Sequence, residues 1–278
     1  MRLGGPVFAD YDDPDEWITA VRDRGYAAAY CPVGPDADTE TVRAYREAAA
    51  DADVTIAEVG AWGHNPVSPD ADERAAAVDA CSSHLELADA VGANCCVNVA
   101  GSRGDSWAGP HPDNFDDETF DLVVETVREI VDDADPDEAA YALEAMPWMV
   151  PDSVESYRRL LEAVERAAFA VHFDPVNLVA SPRRHADTAG LIEAFVDEFG
   201  DRIRSVHLKD VALGSDPLVH LSEVPPGEGD LDYPALLRAL DGLDDDLPVM
   251  LEHLDGPDAY DRAADHVRSV ADEVGVSV

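Results

Sequence analysis

The sequence predicts an α/β fold, a single-domain (βα)8 barrel over residues 1–278, and three observations carry that prediction. Short apolar, β-branched runs alternate with longer amphipathic segments from end to end. Eight such pairs follow one another, and no Ser/Gly-rich linker or shift in composition divides them. Alternation of this kind specifies a parallel sheet, and eight units close it into a barrel. The length of 278 residues suits such barrels, which usually run to roughly 250 residues. The competing architecture is an open doubly wound sheet, but no GxGxxG follows the first predicted strand.

Taken in order, the first strand is expected at 3–8 and its helix at 14–24. Asp13-Pro14-Asp15-Glu16 places Asp at N-cap, Pro at N1 and Glu at N3. Gly25 follows as a C-cap. The second pair spans 26–31 and 39–50. The third pair spans 54–59 and 69–91, with Ser68-Pro69 opening the long helix and Gly92 closing it. The fourth strand, 94–99, leads into a long loop at 100–115 with Arg103, Trp107, His111 and Asn114, and then into helix 116–133. Strand 139–144 precedes helix 153–166, where Asp152 and Glu155 repeat the cap spacing. Strand 169–174 precedes helix 184–199 and its Gly200 cap. Strand 203–208 leads into a second long loop, 209–231, with Pro225-Pro226-Gly227-Glu228-Gly229-Asp230, and then helix 233–241. Strand 247–252 and helix 258–274 complete the ring. Both long loops leave the C-terminal ends of strands, where barrel enzymes build their sites, so they are expected to cover a substrate.

Charge sets further bounds. Sixty acidic residues face nineteen basic ones, a formal net of -41, and Lys209 is the only lysine. Self-repulsion of such a surface is strong at low ionic strength and is screened at molar salt, where the Debye length is about 3 Å. The composition resembles that of proteins from salt-accumulating halophiles, and most of the acid reads as solvation. It argues against a nucleic-acid partner, because nonspecific affinity needs cationic groups. No apolar run approaches the roughly 18 residues of a membrane span, and Met1–Pro6 lacks the layout of a signal peptide, so a cytoplasmic protein with no membrane partner is expected. Cys31, Cys81, Cys95 and Cys96 form no CxxC pair and read as reduced thiols. GxxxxGK[ST] is absent.

Four successive strands end in a metal-competent side chain: Glu144, Asp174, His207 and Glu252. One glutamate at a strand end is unremarkable in so acidic a chain; four in succession are not. Their separations of 30, 33 and 45 residues are each one βα unit, the last lengthened by the 209–231 loop. A closed barrel brings such positions around one mouth. Three carboxylates converging there would repel one another unless a cation sat among them. Three oxygens and one imidazole favour one divalent ion, Mn2+ or Mg2+, with Co2+ a further candidate.

Glu144 in LEAMPW, Asp174 in HFDPVN, His207 in VHLKD and Glu252 in MLEHL resemble the ligand set of the xylose-isomerase-like TIM barrels. GAWGHNP at 60–66 and PPGEGDLDY at 225–233 are similar to that group too. The resemblance covers essentially the whole chain. It implies a metal-dependent isomerase or epimerase of a sugar or related polyhydroxy carbonyl compound, a carbohydrate-metabolism enzyme working by proton transfer through an enediolate. In that scheme Glu144 and Glu252 are both ligands and the catalytic acid/base pair, while Asp174 and His207 mainly hold the metal. Many relatives carry a second histidine three residues after the strand-six aspartate; here that position is Asn177, which cannot shuttle protons at neutral pH. This leaves 1,2-isomerisation and dehydration of a keto-inositol or sugar acid open beside 3-epimerisation.

Further substrate-binding candidates are Trp62, for stacking on a sugar face, His64, Asn98, Asn177, Lys209 and Glu228. His172 shares the inward parity of Asp174 but lies deeper and reads as a hydrogen-bonded core histidine. Arg183 and Arg184 read as a helix-start salt bridge, with phosphate contact the alternative. Endonuclease IV relatives belong to the same superfamily, yet Asn177 removes one expected ligand and the acidic surface opposes DNA. A non-catalytic sugar-binding barrel is the remaining rival. A small sugar-like molecule is the expected partner, and a homo-oligomer is compatible with the sequence.

Overall fold

The apolar runs become strands buried on both faces, as a parallel sheet covered by helices requires. In the computed structural model, which describes residues 1–278, these are β1 (Arg2–Gly5), β2 (Ala28–Ala29), β3 (Thr55–Ile56), β4 (Glu58–Gly60), β5 (Cys95–Asn98), β6 (Ala140–Glu144), β7 (Phe169–Phe173), β8 (Ile203–Leu208) and β11 (Pro248–Leu251), while β9 (Asp210–Leu213) and β10 (Leu221–Val224) form a separate, partly exposed antiparallel hairpin within the 209–231 loop. Nine segments pair in the order β3-β2-β1-β11-β8-β7-β6-β5-β4, all parallel. Because β3 and β4 are two halves of one stave interrupted at Ala57, the terminal segments are contiguous and the sheet closes on eight staves. The expected barrel is therefore present.

The helices are α1 (Pro14–Asp23), α2 (Thr39–Ala52), α3 (Ala71–Val91), α4 (Asp117–Ala134), α5 (Val154–Val164), α6 (Pro182–His185), α7 (Thr188–Phe199), α8 (Tyr233–Asp241) and α9 (Pro257–Val274). Their apolar faces and the outer face of the sheet merge into one cluster of 67 buried residues. Inside the barrel the fit is tight: a Cβ on Gly4 would lie 2.4 Å from the Ala28 carbonyl oxygen and 2.7 Å from Met250 Sδ. No helix is long and apolar enough to cross a membrane. All four cysteines are free thiols.

The caps show where sequence reading needs correction. Asp13 caps α1 as expected, accepting from the Glu16 N–H at 2.9 Å. The long third helix is capped by Asp70, not opened at Ser68-Pro69; Ser68 Oγ instead accepts from the Asp70 N–H. At α5, Ser153 and Ser156 form the capping box, displacing the Asp152/Glu155 pair, and Asp152 Oδ1 accepts from both hydroxyls. Gly92 ends α3 in the left-handed region, while Gly25 takes that conformation one residue beyond the α1 cap. Gly200 stays right-handed and continues into a 3-10 turn. The helix expected at 184–199 is split, because the Asp187 carboxylate accepts from the Gly190 N–H and starts α7 afresh.

Candidate metal centre

Glu144 ends β6, Asp174 follows β7, His207 lies in β8 and Glu252 follows β11. Each offers one ligand atom, and the four atoms lie within 4.8 Å of one another. His207 Nδ1 is 2.8 Å from Glu252 Oε1 and 3.6 Å from Glu144 Oε2. Two carboxylates are steadied through one oxygen, leaving the other for the cluster. Asp174 Oδ1 accepts from the Val176 and Asn177 N–H groups at 2.8 and 3.1 Å, and Glu144 Oε1 accepts from Asn177 Nδ2 at 2.6 Å. Asp174 Oδ2, His207 Nδ1 and Glu252 Oε1 are buried without a hydrogen bond of adequate geometry. Convergent buried donors of this kind fit a divalent cation.

Lys209 is the positive charge the chain itself supplies. Its Nζ lies 2.8 Å from Asp174 Oδ2, 3.6 Å from Glu144 Oε1 and 3.8 Å from Glu223 Oε2, and it also pairs with Glu252 Oε1. One ammonium does not balance four carboxylates. Burial would lower the Lys209 pKa, but Asp174, Glu144 and Glu252 outweigh it and raise it. Burial would likewise lower that of His207, yet Glu58, Glu252 and Glu144 raise it well above the ordinary imidazole value. Burial pushes the Glu252 carboxyl up, but His207 and Lys209 more than offset this and hold it below its ordinary value. The carboxylate field that holds protons on His207 and Lys209 also favours a metal cation among these groups.

Beneath this cluster lies a residue that sequence reading passed over. Glu58, on β4, accepts from His207 Nε2 at 3.1 Å, His172 Nε2 at 3.1 Å and Ser205 Oγ at 2.8 Å. Burial would raise its pKa, but His207 and His172 lower it overall. His172 is thus the hydrogen-bonded core histidine expected.

Above the cluster opens a cavity of about 450 Å3 whose walls include Trp62, Trp107, Met146 and Trp148, with Glu144, Asn177, Lys209, Glu223, Glu252 and His253 supplying the polar groups. Both long loops build it. Asn114, fully buried, cross-links the 100–115 loop by accepting from the Arg103 N–H and donating to the Gly109 and Trp148 carbonyls. Asp210 roots the 209–231 loop. Its Oδ1 accepts from the Val211 and Leu231 N–H groups, and its Oδ2 from those of Gly227 and Gly229. A Cβ on Gly229 would fall 2.4 Å from Asp210 Oδ1, which explains the glycine there.

Of the other candidates, Trp62, Asn177 and Lys209 line this cavity, and His64, Asn98 and Glu228 do not. His64 lines a neighbouring polar cavity of about 580 Å3 that contains none of the four ligand-type residues, with its ring 5.3 Å from that of His84. Asn98 is fully buried and donates to the His64 carbonyl and Cys81 Sγ, so it braces the barrel wall. Glu228 is exposed. Arg184 donates to the Asp152 and Leu178 carbonyls, correcting the expected salt bridge.

Comparison with known proteins adds the family. No curated protein matches the sequence significantly. Among solved structures, the D-psicose 3-epimerase of Clostridium cellulolyticum, solved with D-tagatose, superposes with a TM-score of 0.71 at 16% identity over 100% of both chains. Endonuclease IV of Thermus thermophilus gives 0.71 at 18% identity, over 98% of this chain and 100% of that one. A xylose isomerase-like TIM barrel protein of Mycobacterium smegmatis, in complex with magnesium, gives 0.67 at 18% over 95% and 89%. Identities this low show the shared fold alone, and the epimerase and the nuclease fit it equally well. The family model for xylose isomerase-like TIM barrels matches residues 18–270, nearly the whole chain. With the closed barrel and its ring of ligand-type residues, that match makes this chain a member of the xylose isomerase-like TIM barrel family.

Proposed function

We propose that this protein is a divalent-metal-dependent isomerase or epimerase of a neutral, unphosphorylated sugar or related polyhydroxy carbonyl compound. The observation that carries the reading is the pair Glu144 and Glu252, set beside Asp174 and His207 at the floor of a tryptophan-walled cavity. Glu144, Asp174, His207 and Glu252 would hold the ion, with Mn2+ or Mg2+ the best match to an O3N donor set and Co2+ next. When bound, such an ion polarises a substrate carbonyl and makes the neighbouring C–H acidic.

The chain's own residues do the rest. Glu252, held as a carboxylate by His207 and Lys209, takes the proton from carbon. Glu144, steadied through Oε1 by Asn177, serves the opposite face of the same carbon or its neighbour. Trp62 offers a ring face to the sugar, and with Trp107 and Trp148 keeps bulk water from the reacting carbon. Neutral substrates are favoured because the cavity lining holds no arginine, Lys209 is already paired with the carboxylates and His253 with Glu223, so no side-chain cation is left to receive a phosphate dianion.

The test is incubation with free and phosphorylated ketoses in D2O and Mn2+, read by NMR and mass spectrometry. Deuterium in an isomer of unchanged backbone mass, from the free sugar only, is the expected result. A product lacking one water would establish a dehydratase instead, and exchange in none would leave a non-catalytic barrel.

A further inference from the structure

We propose that Glu58 is a positioning residue that fixes which nitrogen of His207 faces the metal centre. This rests on the metal-centre reading above and concerns a residue that lies outside the substrate cavity.

Glu58 is 1% exposed and sits just past the break in its stave, so its carboxylate reaches across the barrel to β7 and β8. A buried carboxylate is tolerated only when its oxygens are satisfied. Here three donors do so: His207 Nε2 on Oε1, and His172 Nε2 and Ser205 Oγ on Oε2. A carboxylate only accepts, so both imidazoles must carry their proton on Nε2. For His207 that directs Nδ1, with its lone pair when the ring is neutral, toward Glu144 and Glu252. Ligand histidines commonly donate their second N–H to a carboxylate, which sets both tautomer and ring angle. His172 packs edge-on against His207, with ring centroids 4.1 Å apart, and blocks rotation of that ring. Ser205, two residues before His207 on the same strand, anchors the carboxylate from the same side.

Glu58, His172 and His207 also bring metal-competent atoms within 4.8 Å of one another, so a second ion is the rival account. Three donors on an acceptor-only group favour protons over a second metal.

The first test uses the full-length protein labelled with 15N-histidine and long-range 1H–15N correlation, with and without Mg2+. A proton on His207 Nε2 in both states is expected; a bare Nε2 overturns the proposal. The second test is Mn2+ titration of Glu58→Leu, Glu58→Gln and Ser205→Ala. The leucine variant should bind roughly 10–100-fold more weakly. The glutamine variant should recover most of the loss, because its amide oxygen still accepts from His207. Ser205→Ala, which removes one donor on Oε2 but leaves the Oε1 bond to His207, should weaken binding by less than the leucine variant does. Leucine-variant affinity within about twofold of wild type overturns the proposal. So does a glutamine variant as weak as the leucine one, which would assign the effect to charge, and so do two ions per chain in wild type. Wild type that binds no Mn2+ would sink the metal-centre reading, while the histidine spectra of the unmutated protein would still decide the role of Glu58.

Discussion

Lys209 Nζ lies 2.8 Å from Asp174 Oδ2, so the only lysine of the chain is committed to the carboxylates of the cluster. Replacing it with methionine leaves buried acids without their internal cation. The metal-free variant should lose roughly 3–5 kcal/mol of stability. Added Mn2+ should restore more of its melting temperature than it adds to wild type. Calorimetry with and without chelator checks this, and equal melting of the two metal-free proteins would refute it.

Glu252→Gln should keep the fold and slow proton exchange at carbon by roughly 10^2–10^4-fold. Circular dichroism checks the first half, and solvent-deuterium uptake by the sugar checks the second. Full exchange activity in the variant would remove Glu252 from its proposed role.

Wild type purified in high salt should contain about one divalent ion per chain, and Glu144→Ala should lose it. Chelation should lower the melting temperature; saturation at 100 times Kd stabilises by about 2.7 kcal/mol. Elemental analysis and thermal melts measure both.

Burial pushes the Cys31 thiol up to about 11. The fold therefore favours the protonated form. The linked stability is complete below the unfolded thiol value, about 8.5, and is lost as pH rises through the folded value of about 11. Alkylation by iodoacetamide at pH 8 should be far slower than for a free cysteine, and should accelerate only as the pH nears the folded value. Rapid labelling at pH 8 would contradict this.

With a formal charge of -41, the protein should be less stable in dilute buffer than in molar KCl. Melting temperature measured across that salt range should rise steeply at first and then flatten as screening saturates. A flat profile would mean that surface repulsion is already balanced by other means.

The barrel and the convergence of the four strand ends were legible because both follow from periodicity and from closure. Glu144, Asp174, His207 and Glu252 each end an apolar run, and eight βα units leave them one mouth to share. Glu58 was not legible. It is one acid among sixty, in a stave broken at Ala57, and its partners lie 114, 147 and 149 residues away. Only closure of the ring reveals them. Asn98 misled for a related reason: strand parity tells inside from outside but not whether a side chain points into the cavity or braces the wall. The cap errors are local competitions between neighbouring oxygens. Ser153 and Asp152 both suit a helix start, and the backbone geometry selects Ser153 while Asp152 binds the two serine hydroxyls.

The single carboxylate of Asp210 holds both the departure and the return of the loop that carries β9 and β10. Between those roots the hairpin reaches back to the barrel mouth through Glu223, which meets Lys209 and His253. The hairpin contributes Glu223 to the cavity lining, while His207 and Lys209 precede Asp210. Lengthening a loop tip costs little closure entropy. Under the proposed function, the segment is therefore placed as a cassette whose exchange would alter the cavity lining at Glu223 while leaving Glu144, Asp174, His207 and Glu252 where they are.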